Sequence, residues 1–513
     1  MTMRRGDFVE MQNGGSRPLS HVPLLTVAGL RRMVIEALAD GAELASMFAG
    51  AGISAAGERR IGHGQLLLIV VLSDPRTGML RVAATHLPDA WPSLTPECEA
   101  AHLFEREIAE QYNVLPEGHP WLKPVRYQPP MKGARPGGNT PDIGEGPFFR
   151  VEGEEIHEVA VGPVHAGVIE PGHFRFQCHG EEVLHLEISL GYQHRGVESF
   201  LAGGPDKRSI HFAETLAGDT TIGHAIAYCE SLEALGGMQA PPRAQAIRAI
   251  ALELERIANH VGDLGALAGD VGFLPTASWC GRVRGDVLNM TALLCGNRFG
   301  RGLVRPGGVG CDLDERMAGN LADRVRSCAR DCAGAIDLLW KTPSVLARFE
   351  GTGIVTNETA HSIGLTGPAA RASGLDRDVR RDHPAGFWRF THVPVSTWRT
   401  GDVFARAYVR GLEVQRSLAF VEEQVASLPA GSVRAPVHSP SPGYLALSMV
   451  EGWRGAICHA VLTDRNGRFS RYKVVDPSFR NWFGLALAMR GQQISDFPLC
   501  NKSFNLSYCG HDL

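Results

Sequence analysis

The chain has eleven cysteines in 513 residues, yet no two of them form a Cys-x-x-Cys pair. The closest two, Cys328 and Cys332, are one helical turn apart in a charged segment. Iron–sulfur clusters and structural zinc sites usually take their ligands from grouped cysteines, so we expect no cluster held by this chain. Scattered cysteines in an odd number are typical of reduced thiols in the cytoplasm.

The sequence also lacks a long apolar run. The longest one, Leu66 to Leu72, suits a buried strand and is far shorter than the ~20 residues of a membrane-spanning helix. Arg4 and Arg5 are followed by no apolar segment, which argues against a secretory signal. A net charge of −4 offers no basic surface for nucleic acid or an anionic membrane. We therefore expect a cytoplasmic protein that reaches a membrane only through other subunits.

Nucleotide-binding loops are missing as well. The Gly-rich stretches 300–302 and 307–310 do not follow a predicted strand and open a helix, as a dinucleotide site requires. The chain contains no Gly-x-x-x-x-Gly-Lys-Ser/Thr sequence. Direct binding of NAD by this chain is therefore not expected.

The length of the chain predicts more than one domain, because a single core rarely grows this large. Residues 1–127 are predicted to form a small α+β unit. Residues 128–148 are rich in Pro and Gly and are predicted to be a linker. Residues 149–513 are predicted to form a larger, mainly helical domain with a β region, so the whole chain falls in the α+β class.

Hydrophobic periodicity predicts the elements of both parts. Predicted strands cover 65–72, 79–87, 156–161, 173–178, 183–190, 456–463 and 469–475. Predicted helices cover 27–39, 95–112, 241–267, 283–298, 314–340, 402–426 and 478–490. Thr95 is expected to be the N-cap of its helix, and Asn466-Gly467 indicates a hairpin between the last two strands.

Two segments of the large domain combine histidine, arginine and glutamate with glycine. The segment 162–176 contains His173 and Arg175, and the segment 191–198 contains Arg195 and Glu198. Glycine allows close approach of backbones, and few ways of packing a core need this combination. The two segments are therefore candidates for a functional site.

Together with 241–260 and 476–513, these segments resemble one family. It comprises the large subunit of nickel–iron hydrogenases of the formate hydrogenlyase type and the quinone-side large subunit of respiratory complex I. The resemblance covers about residues 100–513, and the end of the predicted small unit resembles the complex I subunit that docks beside the large one. It implies a helical core with a β region, in the cytoplasmic arm of a membrane-bound assembly.

The resemblance bears first on a nickel–iron centre. In hydrogenases of this family, two Cys-x-x-Cys pairs hold the metals, since soft thiolates bind nickel and low-spin iron. The matching positions here are Ala217, Thr220, Leu506 and Cys509, and the family histidine that follows the first pair is kept as His224. Three of the four thiolates are missing, so the resemblance implies a C-terminal tail packed in a former metal cavity without an intact centre.

The resemblance also concerns a binding site for a quinone. The complex I subunit offers a histidine and a tyrosine to the quinone head group; His173, followed by Arg175, occupies the histidine position. Histidine can donate to a quinone carbonyl and deliver a proton. The tyrosine position falls at or near Gly218, beside Asp219, so the pair is at best half present. The alternative role of His173 is that of a structural turn residue.

Arg195 and Glu198 match the Arg-Gly-x-Glu motif of the family. The resemblance implies that they relay protons or act electrostatically near the cluster of a partner. The alternative is a plain salt bridge between the two on one helical face. Arg243, near the start of the long helix, is expected to neighbour the cluster subunit.

Three functions compete. The first is an electron-transfer large subunit that serves a quinone-like acceptor, with a partner that carries a [4Fe–4S] cluster and with antiporter-like and anchor membrane subunits. The second is a nickel–iron hydrogenase that acts with formate dehydrogenase, and the third is a scaffold that transfers no electrons. In each case we expect no cofactor held firmly by this chain, and a location on the inner face of the cell membrane.

Overall fold

The structure is a computed structural model that describes residues 8–51, 65–131, 133–135 and 146–513. Residues 132 and 136–145 of the predicted linker lie outside the described residues. Among those that are described, every helix is either too short or too polar to cross a lipid bilayer.

Helices and strands are mixed along the chain, in agreement with the predicted α+β class. In chain order the strands are β1 (Val9–Gln12), β2 (Gly15–Pro18), β3 (Leu24–Leu25), β4 (Glu43–Ala51), β5 (Leu66–Asp74), β6 (Met79–Leu87), β7 (Ala90–Pro92), β8 (Leu115–Glu117), β9 (Ile156–Val161), β10 (His173–His179), β11 (Glu182–Ser189), β12 (Val304–Arg305), β13 (Gly308–Val309), β14 (Tyr444–Gly452), β15 (Gly455–Thr463) and β16 (Phe469–Val475).

The helices are α1 (Val27–Ala39), α2 (His102–Tyr112), α3 (Val197–Leu201), α4 (Ser209–Ala213), α5 (Thr221–Gly236), α6 (Pro242–Asp270), α7 (Leu274–Cys295), α8 (Glu315–Trp340), α9 (Pro343–Phe349), α10 (Asn357–Ser362), α11 (Gly367–Ala372), α12 (Val379–Asp382), α13 (Val403–Ala426), α14 (Pro477–Ala488), α15 (Phe497–Phe504) and α16 (Tyr508–His511).

The N-terminal unit is built around β5, which is buried at every position. Its apolar run lies between β4 and β6, in a sheet of order β1-β6-β5-β4 with β3 parallel to β6. Such a run is stable only where both faces of the strand are covered. Helix α1 begins at a cap in which the Thr26 hydroxyl accepts from Gly29 N, and it turns its apolar face towards β6.

The large unit has a helical core in which α6 packs between α7 and α13. Its main sheet has the order β16-β15-β14-β2, so strands from both ends of the sequence lie side by side. Strand β2 is the exception to a clean division of the chain, because in sequence it lies between β1 and β3 of the small sheet but pairs with β14, Tyr444 opposite Pro18. The boundaries at residues 127 and 149 stay a prediction.

The structure corrects the predicted N-cap at Thr95. A short 3-10 turn covers Glu99–Ala101, and α2 begins only at His102. The backbone and hydroxyl groups of Thr95 instead donate to the carboxylate of Glu105, at 3.1 and 2.6 Å. Glu105 is fully buried and also accepts from Trp91, Ser93 and Leu94. The prediction was wrong because this buried acceptor draws residues 91–95 away from helical geometry.

We predict that Glu105→Ala lowers the free energy of unfolding by about 3–5 kcal/mol, because it leaves several buried donors without an acceptor. Urea unfolding followed by circular dichroism measures the change. Glu36→Ala, at an exposed position of α1, is the matched control and should leave the midpoint unchanged. Equal midpoints for the two variants would contradict the prediction.

Candidate functional site

The guanidinium of Arg454 joins two loops from distant parts of the chain. Arg454 Nη1 donates to Gly218 O at 2.6 Å, and Arg454 Nε donates to Asn505 O at 2.6 Å. Gly218 N also donates to the hydroxyl of Ser507 at 3.3 Å. The loop 217–220 and the segment 505–509 therefore lie against each other, and we refer to the place where they meet as the cleft.

The four degenerate ligand positions lie together at the cleft, all buried. The hydroxyl of Thr220 donates to Gly218 O at 3.3 Å and accepts from Arg454 at 3.2 Å. Cys509 Sγ lies 3.3 Å from the hydroxyl of Ser507. Burial, together with the nearby carboxylate of Glu170, raises the pKa of the Cys509 thiol, so it stays protonated at neutral pH. Ala217 and Leu506 add only apolar groups.

These groups form a poor donor set for metal ions. Within the described residues, no three histidine, cysteine, aspartate or glutamate side chains are grouped so that they could hold a metal ion. A neutral hydroxyl, a protonated thiol and two hydrocarbon side chains do not replace four thiolates.

The last residues of the C-terminal segment are anchored by hydrogen bonds. The carboxylate of Asp512 accepts from Gly191 N and Gln193 N, each at 2.9 Å. The ring of His194 donates to Asp512 O at 2.9 Å, and Arg126 donates to His511 O at 2.9 Å. The glycine-rich segment 191–198 thus holds this segment in place.

His224 lies behind the first loop, in a row of four buried side chains. Its Nε2 is 3.0 Å from Asp476 Oδ2, and its Nδ1 is 3.0 Å from His459 Nε2. The other ring nitrogen of His459 is 2.8 Å from the hydroxyl of Tyr472. We refer to Tyr472, His459, His224 and Asp476 as the histidine row.

Glu198 lies in a buried chain of ions between the two units. Its carboxylate accepts from Arg471 Nη1 at 2.7 Å and from Val474 N at 3.0 Å, and it pairs with Lys473 Nζ at 3.1 Å. Lys473 also donates to Glu107 at 2.7 Å, and Glu107 accepts from Arg126 at 2.6 Å. We refer to Arg126, Glu107, Lys473, Glu198 and Arg471 as the ion chain.

The ion chain keeps Glu198 charged. Burial alone would raise the pKa of its carboxyl, but Lys473 and Arg471 hold that pKa well below the ordinary value for glutamate. A carboxylate with this pKa does not take up a proton near neutral pH. The geometry therefore favours the electrostatic role of Glu198 over the proton-relay role.

The alternative of a salt bridge between Arg195 and Glu198 was wrong. Gly196 is in the left-handed region, at φ 63°, and α3 begins after it, so Arg195 is not on the same helical face as Glu198. Its guanidinium instead donates to Thr215 O and Leu216 O, each at 2.9 Å. Arg195 thereby supports the chain just before the loop 217–220.

His173 and Arg175 lie on β10, in the sheet of order β11-β10-β9. Arg175 donates to Glu158 at 2.6 Å, and its Nε lies 3.4 Å from His173 Nε2. Burial lowers the pKa of His173, so its imidazole is neutral at pH 7. Between the two, Phe174 packs on Trp482 and Tyr508, which ties this strand to the C-terminal segment.

The remaining predicted residues have other contacts. The side chain of Asp219 is partly exposed and lies 3.8 Å from Arg284, while its carbonyl accepts from Trp453. Arg243 pairs with Asp312 at 2.7 Å and donates to Leu313 O and Pro429 O. These contacts account for Arg243 within the chain, and its place beside a partner stays a prediction.

Sequence reasoning missed Arg454, His459, Tyr472 and the two basic residues of β16. Alternation along β16 was a usable signal, because Arg471 and Lys473 recur every second residue in a segment predicted to be a strand. A basic pair on one face of a buried strand requires acids opposite it. His459 carried no local signal, since one histidine in an apolar strand is compatible with an ordinary core.

Comparisons with known proteins agree on one family. Residues 270–442 match the family described as respiratory-chain NADH dehydrogenase, 49 Kd subunit, and residues 31–136 match its 30 Kd subunit. Formate hydrogenlyase subunit 5 of Escherichia coli is 32% identical over 436 residues, which are 82% of this chain and 76% of the relative. The carbon monoxide-induced hydrogenase of Rhodospirillum rubrum is 31% identical over 68% of this chain and 97% of the relative.

A solved structure shares the fold. A chain of the membrane-bound sulfane sulfur reductase, an archaeal respiratory membrane complex, superposes with a TM-score of 0.66 at 22% identity. The match covers 71% of this chain and 100% of the other. At this identity the likeness shows the fold alone.

We predict that Glu198→Gln destabilises the protein by about 3–5 kcal/mol at neutral pH, because Arg471 and Lys473 lose a buried counter-charge. The lowered pKa sets the sign: the contribution of Glu198 is present above the ordinary glutamate pKa and is lost as the pH falls below it. The difference between wild type and variant should therefore shrink only below about pH 4. Urea midpoints measured across pH test this, with the exposed Glu154→Gln as control.

Proposed function

This chain belongs to the family that unites the 30-kDa and 49-kDa subunits of respiratory NADH dehydrogenase with formate hydrogenlyase subunit 5 and other hydrogenase large subunits, and we propose that it is an electron-transfer large subunit that works without a nickel–iron centre. It would serve a quinone-like acceptor inside a membrane-associated complex. The observation that carries the proposal is the chemistry of the cleft between residues 217–220 and 505–509.

The residues present do not fit a nickel–iron centre. Thr220 is engaged with Arg454, Cys509 is a protonated thiol beside Ser507, and neither Ala217 nor Leu506 can donate electrons to a metal. We therefore derive no step through such a centre. The donor set argues equally against a nickel–iron hydrogenase that acts with formate dehydrogenase.

His173 supplies the proton-donating group for an acceptor. A neutral imidazole can donate a hydrogen bond to a quinone carbonyl, and it can give up that proton as its other ring nitrogen takes one up. Its position at the start of β10 fixes the ring against Arg175 and Phe148, at 3.4 Å and at a centroid distance of 5.7 Å. Reduction of a quinone to a quinol takes two electrons and two protons. The electrons would come from a [4Fe–4S] cluster in a partner.

The names of the relatives support the rest of the assembly. Formate hydrogenlyase and the archaeal respiratory membrane complex are assemblies of several subunits. By analogy, the partners of this chain would be an iron–sulfur subunit and antiporter-like and anchor membrane subunits. The chain would then be peripheral on the inner face of the membrane.

A scaffold that transfers no electrons is the second candidate. The cleft favours it in one respect, because the hydroxyl of Thr220, the guanidinium of Arg454 and the hydroxyl of Ser507 already bond within the protein. Polar groups that already bond to one another hold the two loops together without any acceptor. The two candidates differ in whether His173 matters for electron flux.

We predict that the purified complex contains no stoichiometric nickel, while it contains iron from the partner's cluster. Elemental analysis of the complex, per mole of this chain, measures both. The triple variant Ala217→Cys, Thr220→Cys and Leu506→Cys restores the thiolates and is the matched comparison for adventitious binding. One nickel per wild-type chain would overturn the proposal.

We predict that His173→Gln lowers the rate of quinone reduction by the complex about 10²-fold and leaves reduction of a one-electron dye unchanged, because only the quinone needs a proton. His179→Gln, at an exposed position of the same strand, is the control. Equal quinone rates in wild type and both variants would favour the scaffold.

A further inference from the structure

A cavity lies away from the cleft, between α5, α6 and the segment that precedes α13. It encloses about 220 Å³, which is space for a small organic molecule rather than a nucleotide. Residues 226–249 of the two helices and their connection line it, together with Gly14 and residues 385–390, which include a 3-10 turn at Gly386–Phe390. None of these lining residues belongs to the cleft, the histidine row or the ion chain.

Glu230, on α5, brings a carboxyl group to this cavity without a basic partner. Its Oε2 accepts from the hydroxyl of Ser448, on β14, at 2.7 Å. Among the residues that the structure describes, no donor bonds to its Oε1 and no basic side chain forms an ion pair with it. A partly buried carboxyl group thus has one oxygen free for a ligand.

Gln245, on α6, directs a second acceptor to the same place. Its Nε2 donates to Ala240 O at 2.7 Å, which fixes the orientation of the amide and leaves Oε1 as an acceptor. A Cβ added at Gly386 would lie 3.3 Å from Glu230 Oε1 and 4.0 Å from Gln245 Oε1, so both oxygens lie beside this glycine. Two acceptors without a donor between them suit a ligand that brings N–H groups.

The charged groups that act on Glu230 do not neutralise it by contact. Arg248 is held by the carboxylate of Glu233, at 2.6 and 3.1 Å, and Arg389 donates to two backbone carbonyls. Burial raises the pKa of Glu230 to about 7, against the smaller opposing effects of the bond from Ser448 and of the two arginines. A positive charge brought into the cavity would therefore favour ionisation of this carboxyl group.

The 3-10 turn supplies the aromatic part of the lining. Phe387, Trp388 and Phe390 all line the cavity, and Phe390 is 82% exposed. Aromatic rings offer apolar area to a hydrocarbon group and attract cations to their faces. A ligand with a cationic donor and an apolar body therefore matches both parts of the lining, whereas an anion would meet an acid and two acceptor oxygens.

We propose that this cavity binds a small primary ammonium compound with an apolar body, and that Glu230 is its counter-ion. The ammonium group has three N–H donors, and the free oxygens of Glu230 and Gln245 accept two of them. The apolar body lies against Phe387 and Trp388. This binding goes beyond the electron-transfer function, which uses none of these residues.

Titration calorimetry on the full-length chain with 2-phenylethylamine tests the proposal. About a tenth of Glu230 is ionised at pH 6 and about nine tenths at pH 8, while an alkylammonium is charged at both, so the affinity should be about tenfold higher at pH 8. The neutral isostere 2-phenylethanol should bind at least about tenfold more weakly than the amine at pH 8 and show no such pH dependence. At pH 7, titrations in two buffers of different ionisation enthalpy should show the release of about half a proton per amine bound.

Glu230→Gln identifies the site, because it removes the charge and keeps an acceptor for Ser448. It should lower the affinity for the amine about tenfold or more at pH 8 and abolish the release of protons. Glu358→Gln, at an exposed position of α10, is the matched control and should bind the amine as the wild type does.

Equal affinities of the wild type for the amine and the alcohol would overturn the proposal, and so would an affinity that does not change between pH 6 and pH 8. Undiminished binding of the amine by a folded Glu230→Gln variant would do the same. Circular dichroism shows whether this variant is folded, and if it is not, the pH dependence and the proton release of the wild type decide the question.

Discussion

The arrangement of the two units depends on the buried ion chain. Its five members alternate in sign, and Glu107 and Arg126 come from the small unit while Glu198, Arg471 and Lys473 come from the large one. Buried charges are tolerated only when each meets a partner, since an unpaired one costs several kcal/mol. The two units can therefore dock in one register, and any displacement separates several pairs at once.

Strand β16 connects the ion chain with the histidine row. Because side chains alternate along a strand, Arg471 and Lys473 face the small unit while Tyr472 and Val474 face the opposite way. Tyr472 then meets His459 on β15, and Asp476 follows directly after the strand and accepts from the first turn of α14. The ion chain that joins the units thus also sets the position of the hydroxyl group at the head of the histidine row.

Much of the fold was predictable from local patterns. Period-two and helical spacing predicted β6, β9, β16 and α1 to within a residue at each end, because these elements bury one regular face. Helix α7 was predicted from 283 but begins at Leu274; the proline in its first turn, Pro275, was the signal that went unused. The prediction of an N-cap at Thr95 was wrong because the donors of Thr95 and its neighbours bond to the carboxylate of Glu105.

The candidate site was predictable only in part. The resemblance identified both loops of the cleft and the C-terminal tail, since the motifs are contiguous in sequence. It could not identify what holds them, because Arg454, His459 and the partners of Glu198 lie far from those motifs along the chain and meet them only in the folded protein. A local pattern such as the alternation along β16 can indicate a buried basic pair, but which donor meets which acceptor is a property of the tertiary structure.

The pairing of β2 with β14 also limits when this part of the protein can fold during synthesis. Residues 15–18 leave the ribosome long before the strand that completes their hydrogen bonds, Tyr444–Gly452, is synthesised. Pairing across so long a loop is slow, and an unpaired edge invites contacts with other nascent chains. The polar residues Ser16 and Arg17 make the unpaired edge of β2 unlike the apolar strands that aggregate.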